Sequence, residues 1–206
     1  MAKPYDPHDR FYRKAKAEGL RARSAFKIEE LAERLGVVKP GIAVLDLGAA
    51  PGGWLQVLGK RVGPAGLVIG VDLVEIKALS MPQVKTLVAD VTAPEFAAQL
   101  EALTPRKLDL VTSDMAPKTT GIRATDEARS LALCRIALGC AERHLRSGGA
   151  FITKVFMGGD FKPFENEVRR RFESVKVMRP EATRDRSFEV YITARGFRPA
   201  SAPEAR

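Results

Sequence analysis

Four side chains with clear chemical potential stand at or inside short apolar runs of the kind that form buried strands. Asp72, Asp90 and Asp114 each lie at the end of such a run, and Lys154 interrupts another. A carboxylate at a strand end can accept hydrogen bonds from the ribose hydroxyls of a nucleoside, as expected for Asp72, or from an adenine amino group, as expected for Asp90. A lysine inside an apolar run is costly unless its ammonium reaches water, a carboxylate or a substrate. The pattern therefore predicts a ligand site at the ends of several strands.

A strand-to-helix turn over residues 43–54, AVLDLGAAPGGW, supplies the other part of this site. Gly48, Gly52 and Gly53 carry no Cβ and let the backbone approach a ligand closely. The helix that follows presents free N–H groups to the same space. The spacing G-A-A-P-G-G is not the G-x-G-x-x-G of dinucleotide folds, and Pro51 has no N–H to donate to a pyrophosphate. A nucleotide-binding edge is predicted, with a purely structural turn as the alternative.

The string Asp46-Leu-Gly-Ala-Ala-Pro-Gly-Gly-Trp54 resembles the S-adenosylmethionine motif of the FtsJ (RrmJ, RlmE) family of ribosomal RNA 2'-O-methyltransferases. The resemblance extends over residues 21–196. It implies S-adenosyl-L-methionine as the cofactor. Together, the motif and the strand-end acids predict seven cofactor-binding residues, namely Gly48, Gly52, Gly53, Trp54, Asp72, Asp90 and Asp114.

The same resemblance implies a catalytic set. The segment RSAFK resembles the family's S-R-x-x-F-K and gives Lys27 the first place of a Lys-Asp-Lys-Glu tetrad. Asp114 lies in SDMAP, and Glu189 lies in SFEVYI, which resembles the closing S-x-E-x-Y signature. Lys154 completes the tetrad, either as the general base that takes the proton of a ribose hydroxyl or as a group that orients this hydroxyl.

The order of the predicted elements indicates one α/β domain, which the chain of 206 residues is long enough to form. Strands are expected at 42–47, 67–71, 84–89, 108–113, 150–156, 174–178 and 189–194, with helices at 25–35, 54–62, 94–103, 124–145 and 164–172. The resemblance implies a Rossmann-like methyltransferase fold, in which a mostly parallel sheet contains one antiparallel strand and has helices on both faces. We expect a basic N-terminal arm at 1–20, loose until a partner holds it, a methyltransferase domain at 21–196 and a disordered tail at 197–206.

The positive charge is concentrated at the two ends of the chain. The sequence has 34 Lys and Arg against 25 Asp and Glu, and residues 1–27 and 169–206 each carry a net charge of +5. Such ends suggest a polyanion laid across a nearly neutral body, although basic tails can also serve solubility alone. Phe11 and Tyr12, set among basic residues, could stack on exposed bases or pack on the body.

Several classes of site are not expected. Cys134 and Cys140 point to different faces of one predicted helix, and His8 and His144 are too far apart for a metal cluster. No long apolar run suggests a signal peptide or a membrane span, so we expect a cytoplasmic protein without a membrane partner. We also expect a monomer that binds no metal.

The predicted function is S-adenosylmethionine-dependent 2'-O-methylation of a uridine ribose in 23S rRNA, in the A-loop of the assembled large ribosomal subunit. The absence of an appended domain and the SDMAP motif make the chain resemble the bacterial ribosomal branch of the family. A compact domain has little surface with which to read a nucleotide sequence, so we expect it to recognise the shape of a large folded RNA. Three alternatives remain: a tRNA ribose 2'-O-methyltransferase, a small-molecule O-methyltransferase, and a non-catalytic RNA-binding protein of ribosome assembly. A nicotinamide oxidoreductase lacks the glycine fingerprint that it needs.

Overall fold

Strands and helices alternate along most of the chain, as the sequence predicts. The computed structural model describes residues 9–104, 106–184 and 187–199. In chain order its elements are α1 (Arg10–Ala17), α2 (Ala25–Leu35), β1 (Ala43–Leu47), α3 (Gly53–Val62), β2 (Leu67–Asp72), β3 (Val84–Val88), α4 (Phe96–Leu103), β4 (Leu108–Ser113), α5 (Arg123–His144), β5 (Leu145–Phe156), α6 (Phe161–Arg171), β6 (Phe172–Met178) and β7 (Glu189–Phe197).

The strands form one seven-stranded sheet in the order β3-β2-β1-β4-β5-β7-β6. Strand β7 is antiparallel to both of its neighbours, and every other pair is parallel. The chain reverses direction across the sheet between β1 and β4, which is where open α/β sheets bind ligands. The predicted fold class, a mostly parallel sheet with one antiparallel strand, is confirmed.

Helices cover both faces of the sheet, because each sheet face carries a continuous apolar surface that must be buried. Helices α2 and α3 pack on one face, where Ile28, Leu31 and Leu55 are fully buried. Helices α4, α5 and α6 pack on the other, with Phe164 of α6 fully buried. The two helix layers hold the strands in register, so that the carboxyl ends of the parallel strands meet at one rim.

The expected loose arm contains an ordered helix. Asp9 caps α1, since its carboxylate accepts hydrogen bonds from the backbone N–H groups of Phe11 and Tyr12, both at 3.1 Å. The ring of Phe11 lies 5.8 Å from that of Phe26 on α2, so this aromatic residue packs on the body. Tyr12 stays 39% exposed. The expectation of a loose arm is thus wrong from residue 9 onward, and residues 1–8, with His8, lie outside the described residues.

The junction between α5 and β5 also differs from the prediction. The fifth strand was expected to begin at residue 150, yet α5 ends at His144 and β5 begins at the next residue. Between two pairs of aligned residues, Leu108 with Leu145 and Leu110 with Ala150, β5 contains extra residues. Gly148 adopts a φ of 75°, which a residue without Cβ accommodates readily. The glycines therefore serve an irregularity inside the strand.

Helix α6 begins earlier than predicted, and strand β7 ends later than predicted. Helix α6 begins at Phe161, and Pro163 lies in its first turn, where a backbone N–H has no intrahelical acceptor to lose. Strand β7 continues to Phe197, which is 3% exposed and whose ring lies 5.3 Å from that of Phe172. Phe197, assigned to the tail by the sequence, is thus a core residue, and residues 200–206 lie outside the described part of the chain.

Candidate active site

A cavity of about 480 Å³ opens beyond the carboxyl ends of the central parallel strands. Gly48, Asp72, Asp90 and Asp114, all predicted to bind a cofactor, contribute to its wall. The rest of the wall is mostly apolar and includes Val71, Leu73, Val91, Leu133 and Ile136. An apolar slot with a few convergent polar groups suits a flat heterocycle that carries hydroxyl and amino groups.

Backbone N–H groups fix the two acids at the ends of β2 and β3. Asp72 accepts hydrogen bonds from Ala50 at 2.9 Å and from Val74 at 3.2 Å, one on each carboxylate oxygen. Both described hydrogen bonds to Asp90 end on Oδ1 and come from the N–H and the hydroxyl of Thr92, at 2.8 and 2.7 Å. These hydrogen bonds lower the pKa of Asp90, so the group is ionised at neutral pH. Each acid keeps free acceptor capacity toward the cavity.

Gly48 closes the turn between β1 and the cavity. Its φ is 74°, and a Cβ at this position would lie 2.8 Å from Cγ of Met115, in the chain that follows β4. Its N–H donates to the carbonyl of Val71 at 2.9 Å. The glycine thus lets the turn after β1 and the segment after β4 meet at the cavity wall.

The other motif residues lie behind the turn that borders the cavity. Gly52, Gly53 and Trp54 lie outside the wall of this cavity and pack against the segment that precedes α2. A Cβ on Gly52 would lie 2.9 Å from Nη1 of Arg21, and one on Gly53 would lie 3.0 Å from the Cβ of Ala22. These glycines therefore make room for the segment that precedes α2, and their predicted contact with a ligand stays a prediction.

Trp54 is buried, with 2% of its surface exposed. Its indole Nε1–H donates to the carbonyl of Ser24 at 2.9 Å, and its ring centroid lies 6.0 Å from that of Tyr191. Arg21 reinforces the same contact by donating to the carbonyls of Pro51 and Ala78, at 3.2 and 2.7 Å. The turn is thus clamped to the chain that leads into α2.

Asp46, the acid at the centre of the motif, is fully buried. The hydroxyl of Thr112 donates to its Oδ1 at 2.7 Å, whereas Oδ2 has no hydrogen-bond partner within the described chain. Burial, followed by the nearby charges of Asp114 and Asp72, raises the pKa of this carboxyl well above its ordinary value. Asp46 thus lies under the cavity and contributes nothing to its wall.

Lys154 and Asp114 form an ion pair at the edge of the cavity. The two residues come from the adjacent strands β4 and β5, and Nζ of Lys154 lies 3.0 Å from Oδ1 of Asp114 and 2.6 Å from its backbone carbonyl oxygen. Lys154 is 7% exposed, and the thiol of Cys134 donates to its backbone carbonyl at 2.9 Å. Asp114 thus both lines the cavity and holds the lysine next to it.

Lys27 and Glu189 form a second ion pair, through a short hydrogen bond from Nζ of Lys27 to Oε1 of Glu189. Both side chains are largely buried. Glu189 begins β7, and because this strand is antiparallel, its start lies at the rim where the parallel strands end. The tetrad implied by the resemblance is therefore organised as two ion pairs.

Tyr191 links the two pairs and was missing from the predicted site. Its hydroxyl donates to Oδ1 of Asp114 at 2.7 Å, and Nζ of Lys27 lies 5.7 Å from its ring centroid. Burial, then the charge of Asp114, raises the pKa of this phenol well above its ordinary value, so it remains a hydrogen-bond donor. Its position two residues after Glu189 was the available signal, since alternate residues of a strand share a face. It also lies directly opposite Lys154 in the sheet.

Other kinds of site are absent from the part of the chain that the structure describes. Its His, Cys, Asp and Glu side chains form no group able to hold a metal ion. None of its helices combines the length and the apolar character that crossing a membrane requires. Cys134 and Cys140 are free and buried, and burial raises the pKa of their thiols to about 11 and about 12.

The strand order, the antiparallel β7 and the cavity lined by strand-end acids define a methyltransferase of the Rossmann-like class. The family model of the FtsJ-like methyltransferases matches residues 20–197. The chain therefore belongs to the FtsJ-like methyltransferase family, and the resemblance that the sequence suggested is confirmed. Membership implies a methyl donor as cosubstrate.

Similar proteins carry one recurrent name. A protein of Myxococcus xanthus named ribosomal RNA large subunit methyltransferase E is 57% identical over 205 residues, which is all of this chain and 96% of that protein. A protein of the same name from Stenotrophomonas maltophilia is 43% identical and covers 92% of this chain and 90% of its own. A solved structure from Plasmodium falciparum, described as a ribosomal RNA methyltransferase, superposes with a TM-score of 0.78 at 23% identity, over 86% of this chain and 98% of that one. This last likeness supports the fold.

Proposed function

We propose that this protein transfers a methyl group from S-adenosyl-L-methionine to the 2'-hydroxyl of a uridine ribose in 23S rRNA, in the A-loop of an assembled large ribosomal subunit. The observation that carries the proposal is the position of Asp114, which lines the donor cavity and holds Nζ of Lys154 at 3.0 Å. A proton-handling lysine thus stands beside the place where the donor would bind.

The cavity fits an adenosine moiety. Its apolar walls would enclose the adenine, the carboxylate of Asp72 would accept the ribose hydroxyls, and Oδ2 of Asp90 would accept the adenine amino group. Gly48 would keep the backbone close to the ligand. Gly52, Gly53 and Trp54 lie outside this cavity, and we propose that they act on the methionine end of the donor by holding the 49–54 turn in place.

When bound, the donor supplies an electrophilic methyl group on a positively charged sulfur. The protein's own task is to align the ribose hydroxyl and to manage its proton. As a neutral amine, Lys154 has two N–H groups, and the two oxygen atoms of Asp114 that it contacts would use both. The lone pair would then face the substrate as a base. As an ammonium, the third N–H would instead hold the hydroxyl oxygen.

The second ion pair supports this arrangement from the side. Lys27 and Glu189 neutralise each other next to the ring of Tyr191, whose hydroxyl holds Asp114. Each group of the tetrad therefore has a fixed partner before substrate arrives, which lowers the cost of reorganisation during the reaction.

The choice of ribosomal RNA rests on the similar proteins and on charge. The relatives from Myxococcus xanthus and Stenotrophomonas maltophilia are named for the large subunit's RNA, and the two ends of this chain each carry a net charge of +5. Lys27 and Glu189 belong to these two segments and form an ion pair, so a polyanion held by both segments would lie close to the tetrad. Action on ribosomal RNA would place the protein in the cytoplasm.

The test offers labelled donor and purified protein to three substrates from a strain that lacks the enzyme: large subunits, naked 23S rRNA and bulk tRNA. We expect label in the large subunits, at a single uridine of 23S rRNA. Label confined to tRNA would favour a tRNA ribose methyltransferase. Binding of RNA without any transfer would favour a non-catalytic assembly protein.

A further inference from the structure

Five side chains that are apolar, aromatic or guanidinium-bearing, none of them buried, lie at or next to the strand ends that carry Lys154 and Glu189. They are Ile122, Arg123, Phe156, Met157 and Phe188, and we call them the aromatic rim. Ile122 is 64% exposed and Met157 is 43% exposed, so both offer apolar surface to a partner. The donor cavity does not include any of the five residues.

The sheet places the aromatic rim next to the catalytic residues. Phe156 lies two residues after Lys154 and directly opposite Glu189 in the sheet, so its side chain shares their face. Phe188 immediately precedes Glu189, and its carbonyl accepts a hydrogen bond from the N–H of Met157 at 2.9 Å. Phe156, Met157 and Phe188 therefore lie at the same two strand ends as Lys154 and Glu189, and Arg123 at the start of α5 reaches them through its contact with Phe188.

The rim offers stacking surfaces. The rings of Phe156 and Phe188 meet edge to face with centroids 5.2 Å apart, and Cζ of Arg123 lies 5.3 Å from the centroid of Phe188. The guanidinium of Arg123 is anchored by a hydrogen bond from its Nε to Glu127 at 2.6 Å, while its side chain stays 69% exposed. Aromatic rings and guanidinium planes are the groups on which proteins stack unpaired bases.

We propose that the aromatic rim binds the base of the nucleotide whose ribose is methylated. This inference rests on the proposed function, since it requires an RNA substrate. A ribose hydroxyl delivered to Lys154 brings the base attached to the same ribose within reach of neighbouring side chains, and that base must leave its stack in the RNA. The rim replaces the lost stacking. Because every base has a stacking face, it contributes affinity with little discrimination between bases.

The kinetic test separates aromaticity from volume and from charge. Phe188→Leu should raise the large-subunit concentration that gives half-maximal rate by roughly ten-fold, in line with the loss of one base-stacking contact. Phe188→Tyr keeps the ring and should restore the wild-type value. Arg123→Gln should also raise this concentration, and Arg146→Gln is its matched control, because Arg146 donates to Asp109 at the same distance of 2.6 Å but lies at the start of β5, far along the strand from Lys154.

A second readout does not depend on turnover. Large subunits from a strain lacking the enzyme, grown so that 4-thiouridine replaces part of their uridine, are irradiated with the full-length protein. We expect crosslinks from 23S rRNA to the tryptic peptides 155–169 and 187–195, which contain Met157 and Phe188. Crosslinks that avoid both peptides would overturn the proposal.

The outcomes distinguish this inference from the function on which it rests. If wild-type protein methylates no RNA, the proposed function fails. If wild-type protein is active while Phe188→Leu and Arg123→Gln keep the wild-type half-maximal concentration, only the base-binding role fails. If Phe188→Tyr is as impaired as Phe188→Leu although thermal unfolding and donor affinity are unchanged, the ring acts in some other way, and the stacking proposal is wrong.

Discussion

The cavity at the strand ends and the proposed catalytic tetrad beside it, Lys27, Asp114, Lys154 and Glu189, are built from different kinds of contact. In the cavity, Asp72 and Asp90 each accept a hydrogen bond from the N–H group two residues further along the chain, and Asp72 accepts a second one from Ala50 in the turn after β1. In the tetrad, Lys154 and Glu189 are held by the side chains of residues distant in sequence, Asp114 and Lys27. Short-range turn contacts thus contribute to the first region, whereas the second exists only after the sheet has assembled.

This difference suggests a division of tasks. The cavity should determine donor affinity, and the tetrad should determine the rate of methyl transfer. Asp114 belongs to both regions, because it lines the cavity and holds Lys154. The variants below test whether the two tasks separate.

Removal of the Lys154 side chain from the tetrad should have the largest effect. We expect Lys154→Ala to slow methyl transfer by roughly 10²- to 10⁴-fold, the usual contribution of a proton-handling side chain, with donor affinity within about two-fold of wild type. Single-turnover rates and titration calorimetry measure the two quantities. Lys176→Ala, which removes an exposed lysine on β6, is the control. Equal losses of rate and donor affinity in Lys154→Ala would show that the two regions do not have separate tasks.

The complementary cavity variant is Asp72→Ala. Loss of hydrogen bonds from the ribose hydroxyls to a carboxylate should weaken donor binding by roughly 10- to 150-fold, as expected for hydrogen bonds to a charged group. Calorimetry gives the affinity. Asp109→Ala is a matched control at the opposite ends of the strands, because Asp109 also accepts a backbone N–H, that of Ala43 at 2.8 Å. Unchanged donor affinity in Asp72→Ala would remove this residue from the donor site.

A smaller effect is expected from Tyr191→Phe, which removes only the hydroxyl that holds Asp114. The rate should fall by about ten-fold, less than a full hydrogen bond to a charged group could cost, since Asp114 keeps its contact with Lys154. Donor affinity should stay unchanged. Thr193→Val deletes another hydroxyl on the same strand face, whose bond to the carbonyl of Lys176 is 3.2 Å long, and should leave the rate near wild type. Equal loss in both variants would indicate a general effect on β7.

The smallest effect concerns stability beneath the cavity. The folded-state pKa of Asp46 is raised above its ordinary value of 3.8, so the folded protein retains a proton that the unfolded chain loses. Its contribution to stability is therefore largest at low pH and falls as pH rises from about 4 through the raised folded-state pKa. Asp46→Asn should remove this dependence and gain on the wild type between pH 5 and pH 8 in urea unfolding. A constant difference between the two proteins at both pH values would show that Asp46 does not titrate in this way.

The comparison also explains which features the sequence could predict. Asp72, Asp90 and Gly48 follow apolar runs directly, so periodicity and turn chemistry were enough to place them. Lys27 is an ordinary helix lysine by pattern, and only the family resemblance drew attention to it. Its contact with Glu189 depends on how α2 packs beside an antiparallel strand.

The features that the sequence did not predict have a common physical origin. The glycines at 52 and 53 were predicted to approach a ligand, and their close packing against Arg21 and Ala22 was not foreseen. Tyr191 was seen only as part of a motif, and Phe197 as part of a tail. In each case a long-range packing partner, which a single sequence does not reveal, decides the role of the residue.

The central claim is that the tetrad acts on a ribose hydroxyl, and the position of the transferred methyl group tests this most directly. Labelled product from large subunits is hydrolysed in alkali, which cleaves RNA only next to a free 2'-hydroxyl. The account predicts that the label resides in an alkali-resistant dinucleotide whose first residue is a uridine, and that Lys154→Ala yields far less of it in the same reaction time. Label recovered in an ordinary mononucleotide would place the methyl group on a base and contradict the account.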